Sequence, residues 1–151
     1  VPLSMPNSGS LTLQFLLIKP IAGFENYLDL IEPRITRGLF MKFRFGILAI
    51  KKYRSKWSDC DDQENIYCDL CSLERREDAL HLLFFCPAYK GPRDKWIKPL
   101  CRNLAFASCS MAYRVLCSDT STPIVFAISR FLQAVWYIRK RHFLPLWYIF
   151  Y

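Results

Sequence analysis

The chain of 151 residues predicts a mainly α fold, a small helical domain with a Cys3His knuckle and poorly ordered ends. Three observations carry this. Apolar residues recur at helical spacing between Arg34 and Trp57 and again after Thr122. Between those stretches, three cysteines and a histidine crowd into the nineteen residues from Cys68 to Cys86. Prolines and glycines interrupt the first 29 residues.

Residues 1–29 read as an irregular lead-in broken by Pro2, Pro6, Gly9, Pro20 and Gly23. The basic helical module is expected over residues 30–142, with the knuckle at 67–90 and an apolar tail at 143–151. Over residues 34–57 a helix would align Ile35, Leu39, Phe43, Ile47 and Ile50 as an apolar stripe, with Arg37, Arg44 and Lys51 down another side. Eight basic residues fall in that stretch without one acid, so the segment is amphipathic and cationic. Pro33 suits a first helical turn, while Gly38 and Gly46 each cost about 1 kcal/mol against Ala. An acidic linker follows (Asp59, Asp61, Asp62, Glu64).

After the knuckle, Ala79 to Phe85 reads as a short helix, ended by Pro87, which pushes Cys86 out of the helical region. Pro92 to Leu104 is a second basic stretch containing Trp96, and a Ser/Cys-rich connector comes next. Thr122 and Pro123 make an N-cap and first-turn pair. The helix they open carries Ile124, Ile128, Phe131, Val135 and Ile138 on one face, and Pro145 is expected to stop it.

With 52% apolar residues, the chain has ample material for a core, and global disorder is excluded. A net charge of +8 favours a polyanionic partner, nucleic acid or an acidic membrane surface. Seven cysteines, an odd number, argue against a secreted disulfide scaffold. The apolar run Leu11 to Ile18 has no basic residue ahead of it and falls short of the roughly 20 residues that span a bilayer. The expectation is an intracellular protein of the nucleus or cytoplasm. Its first residue, Val1, suggests a fragment of something longer.

The knuckle spacing is C-x2-C-x9-H-x4-C: Cys68, Cys71, His81 and Cys86. Zinc takes four such ligands in a tetrahedron, and a Cys3His set without an open position is structural, not catalytic. A tight Cys-x2-Cys turn brings both sulfurs to one side. His81 and Cys86, five residues apart, would stand about 140° apart on a regular helix, so the helix has to unwind before Cys86. The competing reading is a core histidine among Leu82, Leu83, Phe84 and Phe85, with cysteines packed as small apolar residues. Cys60, Cys101, Cys109 and Cys117 read as ordinary thiols, with Cys60 the only plausible substitute ligand.

Cys68-Asp-Leu-Cys71, Glu77-Asp-Ala-Leu-His81, the Cys86-Pro-Ala-Tyr89 that follows, Arg93 and Trp96 resemble one known region. It is the zinc-binding region near the carboxyl end of non-LTR (LINE-type) retrotransposon reverse transcriptases. Asp78 stands where that family usually has Thr. Arg37 to Gly46 is similar to the segment leading into the family's cysteines, and Phe131 to Arg139 to its closing helix. The resemblance spans roughly residues 27–142 and implies a non-catalytic tail that assists RNA or target-DNA binding behind a polymerase. No catalytic set is expected in this piece itself: Asp61-Asp62 lacks an aromatic partner and strand-like flanks.

The expected nucleic-acid surface comprises Arg37, Arg44, Lys51, Lys52, Arg54, Lys56, Lys90, Arg93 and Lys95, whose charges suit phosphates, and Trp96, which suits unpaired bases. Tyr53, Trp57 and Tyr89 could stack likewise or pack in the core. The partners would be RNA or DNA and the rest of a reverse transcriptase polyprotein; a membrane is disfavoured. The alternative is a structural or protein-interaction zinc module, or a decayed remnant without activity.

Overall fold

The computed structural model describes residues 25–31, 34–45, 66–103, 108–118 and 121–147, with side chains of the last helix through His142. The fold is mainly α. Helix α1 is the single turn Tyr27–Leu30, and α2 runs Arg34–Arg44. The wide turn α3, His81–Phe85, follows the knuckle. A 3-10 turn, Pro87–Tyr89, leads into α4, which comprises three consecutive pieces, Lys90–Pro92, Arg93–Ile97 and Lys98–Asn103. Helix α5 is Cys109–Leu116 and α6 is Thr122–Trp147.

Helix α6 is the organising element and packs against α1, α2, α4 and α5. Its Val125, Ile128, Phe131, Leu132 and Val135 are buried, with Ile124 and Ile138 packed at the edge. The periodicity after Thr122 therefore describes the face that reaches the core. Each such side chain contributes about 1.5–3 kcal/mol on removal from water. Polar ties join the same elements. Gln133 Nε2 donates to Thr36 Oγ1 at 2.7 Å, and the Tyr113 hydroxyl donates to the Phe43 carbonyl at 2.8 Å.

Helix α2 corrects the expected stripe. Its core face is Thr36, Leu39, Phe40, Phe43 and Arg44, while Ile35 is 71% exposed. Four residues advance a helix by about 400°, so a stripe built mostly of four-residue steps drifts about 40° each time. Alternating steps of three and four keep to one side, and those residues are the ones buried. The described helix ends at Arg44, and residues 46–57 of the expected longer helix lie outside the described residues.

Three other expectations change. Tyr27, assigned to the lead-in, is buried on Phe40 with ring centroids 5.1 Å apart. The Ser/Cys-rich connector contains α5, capped by Ser108, whose Oγ accepts from Met111 N at 3.1 Å. Helix α6 starts with the Ser121 carbonyl accepting from Val125 N at 3.0 Å, and it continues two residues past Pro145 to Trp147. A proline removes one backbone donor and strains the preceding turn, and so close to a helix end that loss does not halt the chain. Of the expected poorly ordered ends, residues 1–29 and 143–151, the parts 1–24 and 148–151 lie outside the described residues, while 27–29 and 143–147 are helical.

Candidate metal centre

The knuckle rests on a short two-sided ribbon. Tyr67 pairs with Arg76 in an antiparallel bridge. On either side of that pair, Cys68 N donates to the Arg75 carbonyl at 3.0 Å and Glu77 N to the Ile66 carbonyl at 2.9 Å. The chain reverses between them through Glu74, whose φ of 49° is left-handed. That conformation is uncommon for a residue with a Cβ, and nothing in the spacing announces it.

Helical structure then begins at Ala79, with Asp78 as its cap: Asp78 Oδ1 accepts from His81 N at 2.8 Å. From His81 the helix widens. Cys86 N donates to the His81 carbonyl at 2.8 Å, a bond to the fifth residue back, and Cys86 itself is extended at φ −66° and ψ 120°. Unwinding at Cys86 is as expected, but the widening is an addition. A turn closed by an i→i+5 bond brings the fifth residue back round to the first. The 140° problem is removed without breaking the backbone bonds. Arg93 braces the turn from α4, its Nε donating to the Leu83 carbonyl at 2.7 Å and its Nη2 to the Cys86 and Leu82 carbonyls at 2.7 and 3.3 Å.

These elements bring the four predicted ligands together. One donor atom from each of Cys68, Cys71, His81 and Cys86 lies within 4.8 Å of all the others, so the four converge on one place. Cys68 Sγ is 3.8 Å from Cys86 Sγ, and Cys71 Sγ is 3.4 Å from His81 Nε2. Cys68, His81 and Cys86 are buried and Cys71 is half-buried. A shallow cavity lined by Tyr67, Cys68, Cys71 and Glu74 opens beside the sulfurs and supplies an entry path. The group could hold a metal ion.

Contact with Cys86 and burial both push the Cys68 thiol upward, while the hydrogen bond from Cys68 draws Cys86 down. Burial lowers His81, favouring the neutral imidazole that ligates. Its Nδ1 is buried and without a hydrogen-bond partner among the described residues.

Behind the knuckle, Glu77 forms a buried ion pair with Arg139 of α6, and Arg139 Nη1 also donates to the Tyr89 hydroxyl at 3.2 Å. Burial works against the Arg139 charge, but Glu77 and Tyr89 outweigh it and hold its pKa above the ordinary value. Sequence reasoning missed this pair. Arg139 stands at the start of the run Arg139-Lys140-Arg141-His142, and no local pattern joins it to Glu77.

The expected nucleic-acid residues fall into three groups. Arg44 and Arg93 turn inward. Arg44 is 1% exposed, bonded to Glu25 and stacked near the Tyr27 and Phe40 rings, while Arg93 caps the wide turn. Arg44 is buried away from any phosphate, and Arg93 donates from its Nε and Nη2 to carbonyls of the wide turn. Lys90 and Lys95 are exposed, Lys90 sharing Asp94 with Lys98, and Trp96 and Arg37 are half-buried. Lys51, Lys52, Arg54 and Lys56 lie outside the described residues, as do Tyr53, Trp57 and Cys60. Tyr89 is fully buried, so of its two readings core packing is the one that holds.

Compared with models of known families, with curated proteins and with solved structures, the chain finds no match. Among the described residues, no helix is long and apolar enough to cross a membrane.

Proposed function

We propose that the chain is a zinc-binding, non-catalytic module that assists nucleic-acid binding, the carboxyl-terminal tail of a non-LTR reverse transcriptase. The parent protein would be an RNA-directed DNA polymerase, acting inside the cell where thiols stay reduced. The Cys3His geometry carries the reading. Zinc bonds of about 2.3 Å to sulfur and 2.05 Å to nitrogen in a tetrahedron set S···S near 3.8 Å and S···N near 3.6 Å. Cys68–Cys86 at 3.8 Å matches the first, and Cys71–His81 at 3.4 Å is about 0.2 Å short of the second. Four protein donors leave no open position, so the ion would hold the ribbon to the wide turn and do no chemistry.

The residues that carry the family resemblance support it in a particular way. Glu77, Tyr89 and Arg93 make internal contacts, and Asp78, in the place of the family's Thr, performs a cap that either residue can make. The shared pattern is then a scaffold pattern. A second reading, a structural or protein-interaction zinc module, is favoured by the inward turn of Arg44 and Arg93, which removes two cations from the expected surface.

Metal analysis of the purified chain tests the core of the proposal. One zinc per chain is expected, lost together with the fold in Cys71→Ser. A folded, metal-free protein overturns it. Binding of single-stranded RNA that weakens steeply with salt is expected for the nucleic-acid part. Zinc without RNA binding at low salt would leave the second reading.

A further inference from the structure

The outward side of α6 repeats one pairing. The Arg130 guanidinium lies 5.2 Å from the Phe126 ring centroid, and the Arg141 guanidinium 5.8 Å from that of Tyr137. Each pair is an aromatic followed four residues later by arginine. The second pair follows the first by eleven residues, which is three turns with about 20° of drift, so both occupy one side of the helix about 16 Å apart. These rings are not core: Phe126 is 50% and Tyr137 63% exposed. At the Phe126 end, α4 adds Trp96, edge-on at 5.8 Å, with the Lys95 ammonium 5.1 Å from the indole centroid. Between Thr122 and Trp147 there is no Asp or Glu, and Asp94 of α4 is held by Lys90 and Lys98.

An acid-free face of exposed rings, each with a cation over it, fits a ligand that offers flat π surfaces and regular negative charge. Unpaired nucleobases on a phosphate chain offer both, stacking on aromatic rings and on guanidinium planes alike. A lipid surface is matched less well. An interfacial helix sinks its aliphatic side into the acyl boundary, whereas Ile128, Leu132 and Val135 of α6 are buried inside the fold. A paired duplex hides its base faces, so the rings would gain nothing from it.

We propose that α6, extended by Lys95 and Trp96 of α4, is a track for single-stranded nucleic acid with stacking stations at Phe126 and Tyr137. This rests on the nucleic-acid reading above and narrows it to unpaired strands. It also moves the surface onto a helix whose residues were assigned no such role.

The test uses the full chain purified with zinc and a fluorescein-labelled oligo(U) of about 15 nucleotides, within the span of known single-strand sites. A duplex of equal length serves as competitor. The unlabelled single strand should displace the probe well before the duplex does. Phe126→Ala and Tyr137→Ala should each weaken binding about tenfold. Phe126→Leu and Tyr137→Leu should weaken it comparably, because leucine keeps the apolar bulk without a ring face, and zinc content checks that each variant is folded. Undiminished binding by the leucine variants overturns the track while leaving the nucleic-acid reading in place. Equal affinity for duplex does the same. Failure of the wild-type chain to bind oligo(U) at low salt overturns both. Pelleting with anionic phosphatidylserine vesicles that the same substitutions abolish, with oligo(U) binding unchanged, would assign the face to membrane instead.

Discussion

Replacing Arg139 by Met isolates the tie between knuckle and helix bundle. The Glu77 and Arg139 side chains are each 3% exposed, so solvent cannot screen the charge left behind. Removing one member of a buried pair costs about 3–5 kcal/mol, chiefly the penalty of an uncompensated buried charge. With a urea m-value of about 1.5 kcal/mol/M for a domain of this size, the midpoint should fall by about 2–3 M. Arg139→Met also strips the Tyr89 hydroxyl of a donor, which places the loss toward the upper end. Glu77→Met should cost a similar amount. The double variant should recover most of it, because two apolar side chains of similar length remove both desolvation penalties. Urea unfolding of the four proteins in saturating zinc, read by tryptophan fluorescence, closes the double-mutant cycle. Single substitutions costing under about 1 kcal/mol, or losses that simply add in the double variant, would refute a buried, mutually dependent pair.

Arg93→Met should loosen the metal, because the carbonyls of Leu82, Leu83 and Cys86 lose their donor and the wide turn is free to relax. A 10–100-fold weaker zinc affinity in a chromogenic chelator competition is expected from loss of such outer support, about the range seen when ligand-orienting groups are removed. Arg93→Lys should not restore it, since an ammonium lacks the guanidinium fork that reaches three acceptors, and full restoration by Lys would count against the bracing role. Cys117 supplies a pH prediction. Burial pushes its thiol from an ordinary 9.0 up to about 12. Its folded pKa is thus above the unfolded one, so its stabilising share is complete below pH 9 and is lost as pH climbs toward 12. Stability should therefore fall more steeply across that window in the wild type than in Cys117→Ala, by at most about 1.4 kcal/mol per pH unit. Parallel slopes would exclude the effect.

The Cys/His cluster was legible because a group confined to a short segment leaves its spacing in the sequence. Cys68, Cys71, His81 and Cys86 needed no distant partner to be recognised. The core face of α6 was legible for the same reason, being a periodicity within one element. What could not be read were contacts that join remote segments. Arg44 looks like its basic neighbours until Glu25, nineteen residues back, folds against it. Arg139 looks like Lys140 and Arg141 until Glu77, 62 residues away, arrives. The sign of a charge is visible in a sequence, but the direction in which its side chain turns is set by tertiary packing. Helix α5 escaped notice because its serines and cysteines mimic a linker, although Ser108 with Ala112, Tyr113 and Leu116 already held a cap and a helical face.

Separations along the chain also order events in time. The four sulfur and nitrogen donors span residues 68–86, so their loop can close as soon as that stretch leaves the ribosome, with little entropy to overcome. The ties to the rest are far longer: Glu77 waits 62 residues for Arg139, and Thr36 waits 97 for Gln133. The four donors can therefore meet before their support arrives, and the Glu77 carboxylate meets Arg139 only once that residue follows. Helix α6, synthesised after these elements, packs on α1 and α2 and pairs with the knuckle through Arg139. A chain truncated ahead of Thr122 would keep the four donors while leaving α2 without the helix it packs on.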